Sequence, residues 1–157
     1  MRISGRAVSL LLLGCLCLEA ADSGEQKAIL AAVQTLFDGM AAHDAGMIEG
    51  AMTADARLTG IGSDRPPTNV ARDQFAQSIA ANQSRLLERI WEPKVLVRGR
   101  MATVWAEYDF YADGKFGHCG VDNFLMLKTD QGWKAAAVAY TVETEGCAPS
   151  PLGPPKE

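Results

Sequence analysis

The chain has 157 residues, of which 15 are lysine or arginine and 19 are aspartate or glutamate, so its net charge is −4. This length suits a single domain with a substantial buried core. Nucleic acids and anionic membrane surfaces bind clustered positive charge, and the sequence contains no such cluster. We therefore expect neither nucleic acid nor an anionic membrane as a partner.

A secretory signal peptide is predicted over residues 1–20. Arg2 and Arg6 give it a basic start, and a largely apolar run over residues 7–18 follows. The run is shorter than the roughly 20 residues of a membrane-spanning helix, so we expect no membrane span. The alternative interpretation of the run is a buried core helix. Removal of the leader would leave residues 21–157 with a net charge of −5.

A lipid anchor is a second possible fate of the leader. Residues 12–15 read LLGC, which resembles a bacterial lipobox, where the cysteine becomes a lipid-bearing N-terminus. Leu16 after this cysteine is atypical of the motif. Cleavage after Ala20 and lipid attachment at Cys15 both predict an exported protein. Cleavage would give a periplasmic or secreted protein, and lipid attachment would give one anchored to a membrane.

Helical patterns dominate the first half of the remaining chain. Apolar residues recur at helical spacing over residues 25–42, which predicts a first long helix. A short helix over residues 45–52, a strand over 54–61 and a loop over 62–67 follow, and a third helix is predicted over 70–87.

Strand patterns dominate the second half. The predicted strands cover residues 88–97, 101–111, 116–128 and 133–142. The turns Asp113-Gly114 and Asp130-Gln131-Gly132 join the last three strands into an antiparallel meander, because they supply the positive φ angles of tight hairpins. Pro93 indicates that the first of the four strands lies at an edge or contains a bulge.

This order of elements predicts an α+β fold. Helices that come first and strands that come last favour N-terminal helices packed on one face of a curved antiparallel sheet. After Cys147 the proline-rich tail over residues 148–157 is predicted to be disordered. The predicted folded domain is therefore residues 21–147.

The last hairpin contains Gly120, Asp122, Phe124, Gly132-Trp133-Lys134 and Tyr140-Thr141-Val142. With these residues and its element order, the chain resembles the nuclear transport factor 2-like superfamily, a cone-shaped, cystatin-like fold shared by ketosteroid isomerase, scytalone dehydratase and SnoaL-type polyketide cyclases. More narrowly, the chain is similar to small exported bacterial members described as lumazine-binding-like. The resemblance implies a conical pocket between helices and sheet, often a homodimer through the outer face of the sheet, and no particular catalysis.

Two cysteines remain after the leader is removed, Cys119 and Cys147. We predict a disulfide between them, because an exported domain folds in an oxidising compartment. A metal site and two free thiols are the alternatives. The sequence has no zinc-ligand spacing, phosphate loop, nucleotide fingerprint or serine nucleophile motif, so no metal or cofactor is expected.

The predicted hairpin register brings several polar side chains together. If Asp113-Gly114 is a two-residue loop, Asp109 lies opposite His118 and Trp105 lies opposite Asp122. One face of the sheet would then carry Trp105, Asp109, His118, Asp122 and Phe124, beside Ala137 and Ala139 of the last strand, and Cys119 would lie on the other face.

This face suggests acid–base chemistry or ligand binding. Asp122 in an apolar setting could have a raised pKa and abstract a proton from carbon, with or without His118, whose imidazole Asp109 could orient. Trp105, Asp109 and Phe124 are the candidate ligand-binding residues. Tyr108 is a further candidate. Its hydroxyl and that of Tyr140 could donate to an oxyanion, although this register places both on the face opposite Asp122. The alternatives are a solvated Asp109–His118 pair and a buried structural role for Asp122.

Three functions are compatible with these observations. The leading hypothesis is an exported, non-catalytic binding or accessory domain that holds a small apolar or aromatic molecule or a partner protein. The second is a cofactor-independent isomerase, lyase or cyclase in which Asp122, with or without His118, moves a proton. The third is an interaction protein that only dimerises through its sheet.

Overall fold

A computed structural model describes residues 19–155, with side chains from residue 24 onwards. The predicted signal peptide, apart from its last two residues, and the lipobox cysteine lie outside the described residues. The elements are α1 (Glu19–Ala42), α2 (Ala45–Ala51), β1 (Met52–Gly62), β2 (Thr68–Ala71), α3 (Arg72–Ala80), β3 (Leu86–Arg98), β4 (Met101–Ala112), β5 (Lys115–Thr129) and β6 (Gly132–Val142). No helix within residues 19–155 is both long and apolar enough to cross a membrane.

The three helices pack on one face of the sheet. The buried stripe of α1 is the one that its sequence spacing predicts: Ile29, Val33, Leu36, Phe37 and Met40. Asp44 caps α2, because its Oδ1 accepts a hydrogen bond of 3.0 Å from the Met47 amide. Ala76, in the middle of α3, is fully buried in the same core.

The predicted third helix is too long at both ends. Residues 68–71 pair with β1 as the short strand β2. The helix stops at Ala80 because Asn82 forms a turn, in which its Oδ1 accepts a hydrogen bond of 2.7 Å from the Ser84 amide. Leu86 then begins β3.

The six strands form one curved, unclosed sheet in the order β2-β1-β6-β5-β4-β3. The α+β, cystatin-like fold class is confirmed, but the sheet is mixed, because β1 runs parallel to β6. These two strands are joined by a long crossover instead of a hairpin, so their connection does not impose antiparallel pairing. Pro93 lies in the edge strand β3 at a register shift between Trp91 and Lys94, which confirms the prediction of an edge or a bulge.

A bulge in β5 changes the predicted register of the first hairpin. Tyr111 pairs with Phe116, as predicted, but Phe110 pairs with His118, so Gly117 is an extra residue in β5. A slip of one residue exchanges the two faces of everything beyond it. The predicted partners of His118 and Asp122 are therefore wrong.

The actual pairs follow from this extra residue. Asp109 lies opposite Cys119, and Trp105 lies opposite Asn123. Phe110 and His118 face the helices, as do Ala106 and Asp122, whereas Trp105 and Asp109 face away from them. The prediction that Trp105, Asp109, His118 and Asp122 share a face is thus wrong, and Cys119 shares the outer face with Asp109.

A second bulge has the same effect on the last hairpin. Met126 pairs with Ala135, but Leu125 pairs with Ala137, so Ala136 is an extra residue in β6. Asp122 consequently lies beside Tyr140, and Phe124 lies beside Val138. The predicted alanine neighbours of Asp122 and Phe124 are replaced by larger side chains.

The outer face near β3 is held by an ion pair and a disulfide. Arg89 donates to Asp109 through Nε at 2.9 Å and Nη2 at 2.5 Å, so Asp109 binds Arg89 and not His118. The predicted disulfide between Cys119 and Cys147 is present, with Cα atoms 6.1 Å apart. Gly146, at φ 75°, allows the chain after β6 to turn back towards Cys119.

Residues 148–155 contain no helix or strand. Whether the proline-rich tail is disordered stays a prediction, as do the limits of the folded domain.

Candidate functional site

A cavity of about 150 Å³ lies between the helices and the inner face of the sheet. Nine hydrophobic side chains line it: Leu36, Phe37, Met40, Leu58, Phe75, Ile79, Phe110, Phe124 and Val138. Five lining side chains carry polar groups: Glu88, Tyr108, His118, Asp122 and Tyr140. A few polar groups in an apolar wall are typical of small-molecule sites.

One side of the cavity is more accessible than the other. Tyr108, Asp122 and Phe124 are each 1% exposed and form part of the closed end. The half-buried lining residues mark the open side, and they are Phe75, Ile79, Glu88, Phe110, His118 and Tyr140. Glu88 and His118 are thus more exposed to solvent than Asp122.

Two carboxyl groups, those of Glu88 and Asp122, meet in this cavity. The two groups lie close enough for each to shift the pKa of the other, and a hydrogen bond between them requires that one carries a proton. No N–H or hydroxyl group of the described residues donates to Oδ2 of Asp122, although this atom is buried.

Both carboxyl groups hold their protons to higher pH than usual. Burial is the largest cause for Glu88, whose pKa is raised well above its ordinary value, and the charge of Asp122 adds to it. Burial also raises the pKa of Asp122 to about 7, although the hydrogen bond from Glu88 acts in the opposite direction. Burial thus favours the protonated form of both groups.

Tyr108 and His118 form a hydrogen-bonded chain whose direction is fixed. The Tyr108 hydroxyl lies 2.6 Å from the Thr141 carbonyl oxygen and 2.8 Å from Nδ1 of His118. The carbonyl can only accept, so the hydroxyl donates to it and accepts from Nδ1–H. Burial and then the charge of Arg65 lower the pKa of His118. His118 is thus neutral at pH 7, with an unprotonated Nε2.

Gly120 leaves the space that this chain of hydrogen bonds requires. It lies opposite Tyr108 in β5, and the Tyr108 side chain reaches past it to Thr141 on β6. Gly120 has a φ of 153°, and a Cβ atom added there would lie 2.3 Å from Oγ1 of Thr141. Any side chain at this position would push β6 away from β5, which explains the glycine in physical terms.

The structure brings together four of the six predicted catalytic and ligand-binding residues. His118, Asp122, Phe124 and Tyr108 line the cavity. Their predicted roles in catalysis and ligand binding stay predictions. Trp105 is 50% exposed on the outer face, Asp109 is buried there with Arg89, and neither lines the cavity.

Sequence reasoning missed Glu88, although this residue left a signal, and it placed Tyr140 on the wrong face. Leu86 and Ile90 point to the core from alternate positions of β3, and Glu88 occupies the apolar position between them. A carboxylate at an inward-facing position of a strand is a reason to look for a site. Tyr140 was assigned to the face opposite Asp122 because the bulge at Ala136 was not recognised.

Comparison with protein families identifies the chain. The family model described as "Putative lumazine-binding" matches residues 24–141, a range that includes every residue lining the cavity. The chain belongs to this family. A comparison with curated proteins found no match.

Solved structures show the same fold at low sequence identity. A protein of unknown function from Mycobacterium tuberculosis is 16% identical, with a TM-score of 0.71 over 90% of this chain and 82% of that chain. A nuclear transport factor 2-like protein with a cystatin-like fold from Novosphingobium aromaticivorans is 16% identical, with a TM-score of 0.66 over 87% and 94%. A "putative dehydratase" of the same superfamily from Streptomyces avermitilis is 19% identical, with a TM-score of 0.62 over 78% and 97%. The superfamily prediction is confirmed.

No group of three or more histidine, cysteine or acidic residues is placed to hold a metal ion within the part of the chain that the structure describes.

The Asp122→Asn substitution tests the raised pKa through stability. Between about pH 4 and pH 7 the folded wild type holds a proton that the unfolded chain releases, so its free energy of unfolding falls as the pH rises through this window. The amide has no such proton and can still donate to Glu88. We expect the variant to gain on the order of 2 to 4 kcal/mol relative to the wild type between about pH 4 and about pH 8.

Urea denaturation of both proteins across this pH range measures the difference. Glu107→Gln is the matched control, because it removes an exposed carboxylate outside the cavity. If the stability difference between wild type and Asp122→Asn does not change with pH, Asp122 has an ordinary pKa.

Proposed function

We propose that this protein is an exported binding domain that holds a small apolar or aromatic molecule in the cavity between its helices and its sheet, without transforming it. The observation that carries the proposal is the preformed cavity of about 150 Å³ whose wall includes six aromatic rings. An apolar cavity of about this size can hold a molecule such as benzene. The family description names lumazine, a flat bicyclic heteroaromatic, which supports the same ligand class.

The polar groups of the cavity would orient such a ligand. His118 offers Nε2 as an acceptor, and the protonated carboxyl pair can both donate and accept. The stacked ring of Phe110, whose centroid is 4.8 Å from that of His118, holds the imidazole in place at the open side. These groups favour ligands that can form hydrogen bonds, while the apolar wall provides most of the area that contacts the ligand.

Methyl NMR with lumazine and toluene as separate probes tests this proposal. Binding of either probe should shift the methyl signals of Met40, Leu58 and Val138, which line the cavity. Ile79→Trp would fill the half-buried open side and should weaken binding about tenfold or more. Ile61→Trp is the matched control, because Ile61 is 42% exposed and does not line the cavity. The absence of cavity shifts with both probes would overturn the proposal.

A catalytic role is the second candidate, and the raised pKa of Asp122 favours it. A carboxylate whose pKa is about 7 can both take up and release a proton near neutral pH. In this alternative Asp122, assisted by Glu88 and with or without His118, would move a proton on a small substrate without a cofactor. Two solved structures of similar fold are described as a "putative dehydratase" and a "putative aromatic ring hydroxylase".

Deuterium exchange at the α-carbons of cyclohexanone is a direct assay for this alternative. If Asp122 abstracts protons from carbon, the wild type should accelerate exchange over buffer and Asp122→Asn should lose at least a hundredfold of the rate. Glu107→Gln, which removes an exposed carboxylate outside the cavity, should keep the wild-type rate. Equal exchange with and without protein would exclude proton abstraction from a ketone of this size.

Export and assembly complete the proposal. A disulfide fits a non-reducing compartment, which supports export through the predicted leader. The mass of the mature protein distinguishes a lipid-bearing Cys15 from cleavage after Ala20, and a retained leader would contradict both.

We also propose a homodimer through the outer face, where Leu96, Met101 and Trp105 are at least half exposed. Analytical ultracentrifugation of the wild type and of Trp105→Lys measures their mass in solution. A dimeric wild type and a monomeric variant would support the dimer, whereas a monomeric wild type would refute it.

A further inference from the structure

We propose that the ligand of the cavity is an organic monocation, a protonated amine on a small aromatic or aliphatic body, whose ammonium group binds between Glu88 and Asp122. This inference rests on the proposed binding function and narrows it to one chemical class. The observations that carry it are two carboxyl groups in one cavity without a cation, an unpartnered buried carboxylate oxygen, and a wall rich in aromatic rings.

The first observation is an imbalance of charge. Glu88 and Asp122 both line the cavity, and no lysine or arginine of the described residues does. Neither carboxyl group forms an ion pair with a described residue, in contrast to Asp109 on the other face, which binds Arg89. Buried carboxylates normally have a cationic partner, because an isolated buried charge is costly. In the ligand-free protein a shared proton takes that place, and a bound ammonium group could replace it.

The second observation is an acceptor without a donor. Oδ2 of Asp122 is buried, and no described N–H or hydroxyl group donates to it. The side chain is fixed in the middle of β5, between Ala106 on one neighbouring strand and Tyr140 on the other. A carboxylate oxygen that the fold leaves open in a cavity selects for a ligand with an N–H or O–H donor. A charged donor is favoured over a neutral one, since charge-assisted hydrogen bonds are the stronger.

The third observation is the aromatic wall. The six rings belong to Phe37, Phe75, Tyr108, Phe110, Phe124 and Tyr140. Aromatic rings attract cations through their negative faces, and aromatic enclosures are a recurring way of binding ammonium groups. The same rings bury the body of the ligand. A cavity of about 150 Å³ accommodates a ring of benzene size, so benzylammonium is a suitable probe.

The remaining charged groups do not supply the missing cation. His118 donates through Nδ1–H to Tyr108 and is neutral at pH 7. Arg65, in the loop after β1, is close enough to influence His118 and Tyr140 but does not line the cavity. The titratable groups that line the cavity beside the carboxyl pair are Tyr108, His118 and Tyr140, and the lining residues of α1, α3 and β1 carry no charge. Asp109, which is paired with Arg89 on the outer face, adds to the raised pKa of Glu88.

Proton release should accompany binding of the cation. The ammonium group displaces a proton from the carboxyl pair, so its affinity should fall as the pH decreases and the pair holds its protons more firmly. Protonation of His118 at low pH would add repulsion in the same direction. A neutral ligand of equal size displaces no proton, so its affinity should change little between about pH 8 and about pH 5.

Calorimetric titration with benzylammonium and with benzyl alcohol tests the inference, because the two probes match in size and differ in charge. At about pH 8 we expect the wild type to bind benzylammonium at least about tenfold more tightly than benzyl alcohol. We expect benzylammonium binding to weaken by more than about tenfold at pH 5. Titrations in buffers of different ionisation enthalpy would report the released proton.

Variants separate the carboxyl pair from the overall charge of the protein. The double variant Glu88→Gln/Asp122→Asn should lose the preference for benzylammonium, and a cooperative urea-unfolding transition shows that it folds. Glu107→Gln removes one exposed negative charge outside the cavity and should leave the preference unchanged.

The outcomes distinguish this inference from the function on which it rests. A wild type that binds benzyl alcohol or toluene in the cavity without preferring benzylammonium would overturn the monocation inference and leave the binding function intact. Failure of all of these probes, and of lumazine, to bind would overturn both. A preference for benzylammonium that survives in the double variant would place the cation elsewhere and also overturn the inference.

Discussion

The extra residue in β5, Gly117, determines which side chains face the helices. Without it, the register set by the Asp113-Gly114 turn would continue along the hairpin and would place Trp105 opposite Asp122. With it, Phe110 lies opposite His118, and Ala106 lies opposite Asp122, all on the inner face. The cavity owes its polar groups to this shift. Asp109, which an uninterrupted register would join to His118, lies on the outer face with Arg89.

Glu88 on β3, opposite Phe110, and Asp122 on β5 place two acids in an apolar cavity, and the properties of the site follow from that. Neither Glu88 nor Asp122 has a cationic partner among the described residues, so burial favours their neutral forms and raises the pKa of both. The neutral His118 and the Tyr108 hydroxyl are fixed by the Thr141 carbonyl, across the gap that Gly120 leaves. A buried carboxyl group with a raised pKa lowers the stability of the domain at neutral pH. The same group gives the cavity a polar contact that a ligand can bind.

The sequence predicted the fold well and the site only in part. Helical spacing in α1, the hairpin turns and the Cys119–Cys147 pair depend on local patterns, and each predicted the observed structure. Register depends on every residue between a turn and the site. Gly117 and Ala136 are small enough to be accommodated as extra residues without a visible change of pattern. Phe124 and Asp122 were identified as candidates through residue type and resemblance, whereas their neighbours were not.

The central claim is that Glu88 and Asp122 hold a shared proton at neutral pH. Carbon-13 NMR of the two side-chain carboxyl groups over a pH titration measures this directly, and Glu88→Gln and Asp122→Asn assign the signals. We expect at least one carboxyl to remain protonated at about pH 7, and both to titrate well above the ordinary range near pH 4. Two carboxyl groups that both ionise near about pH 4 would contradict the account.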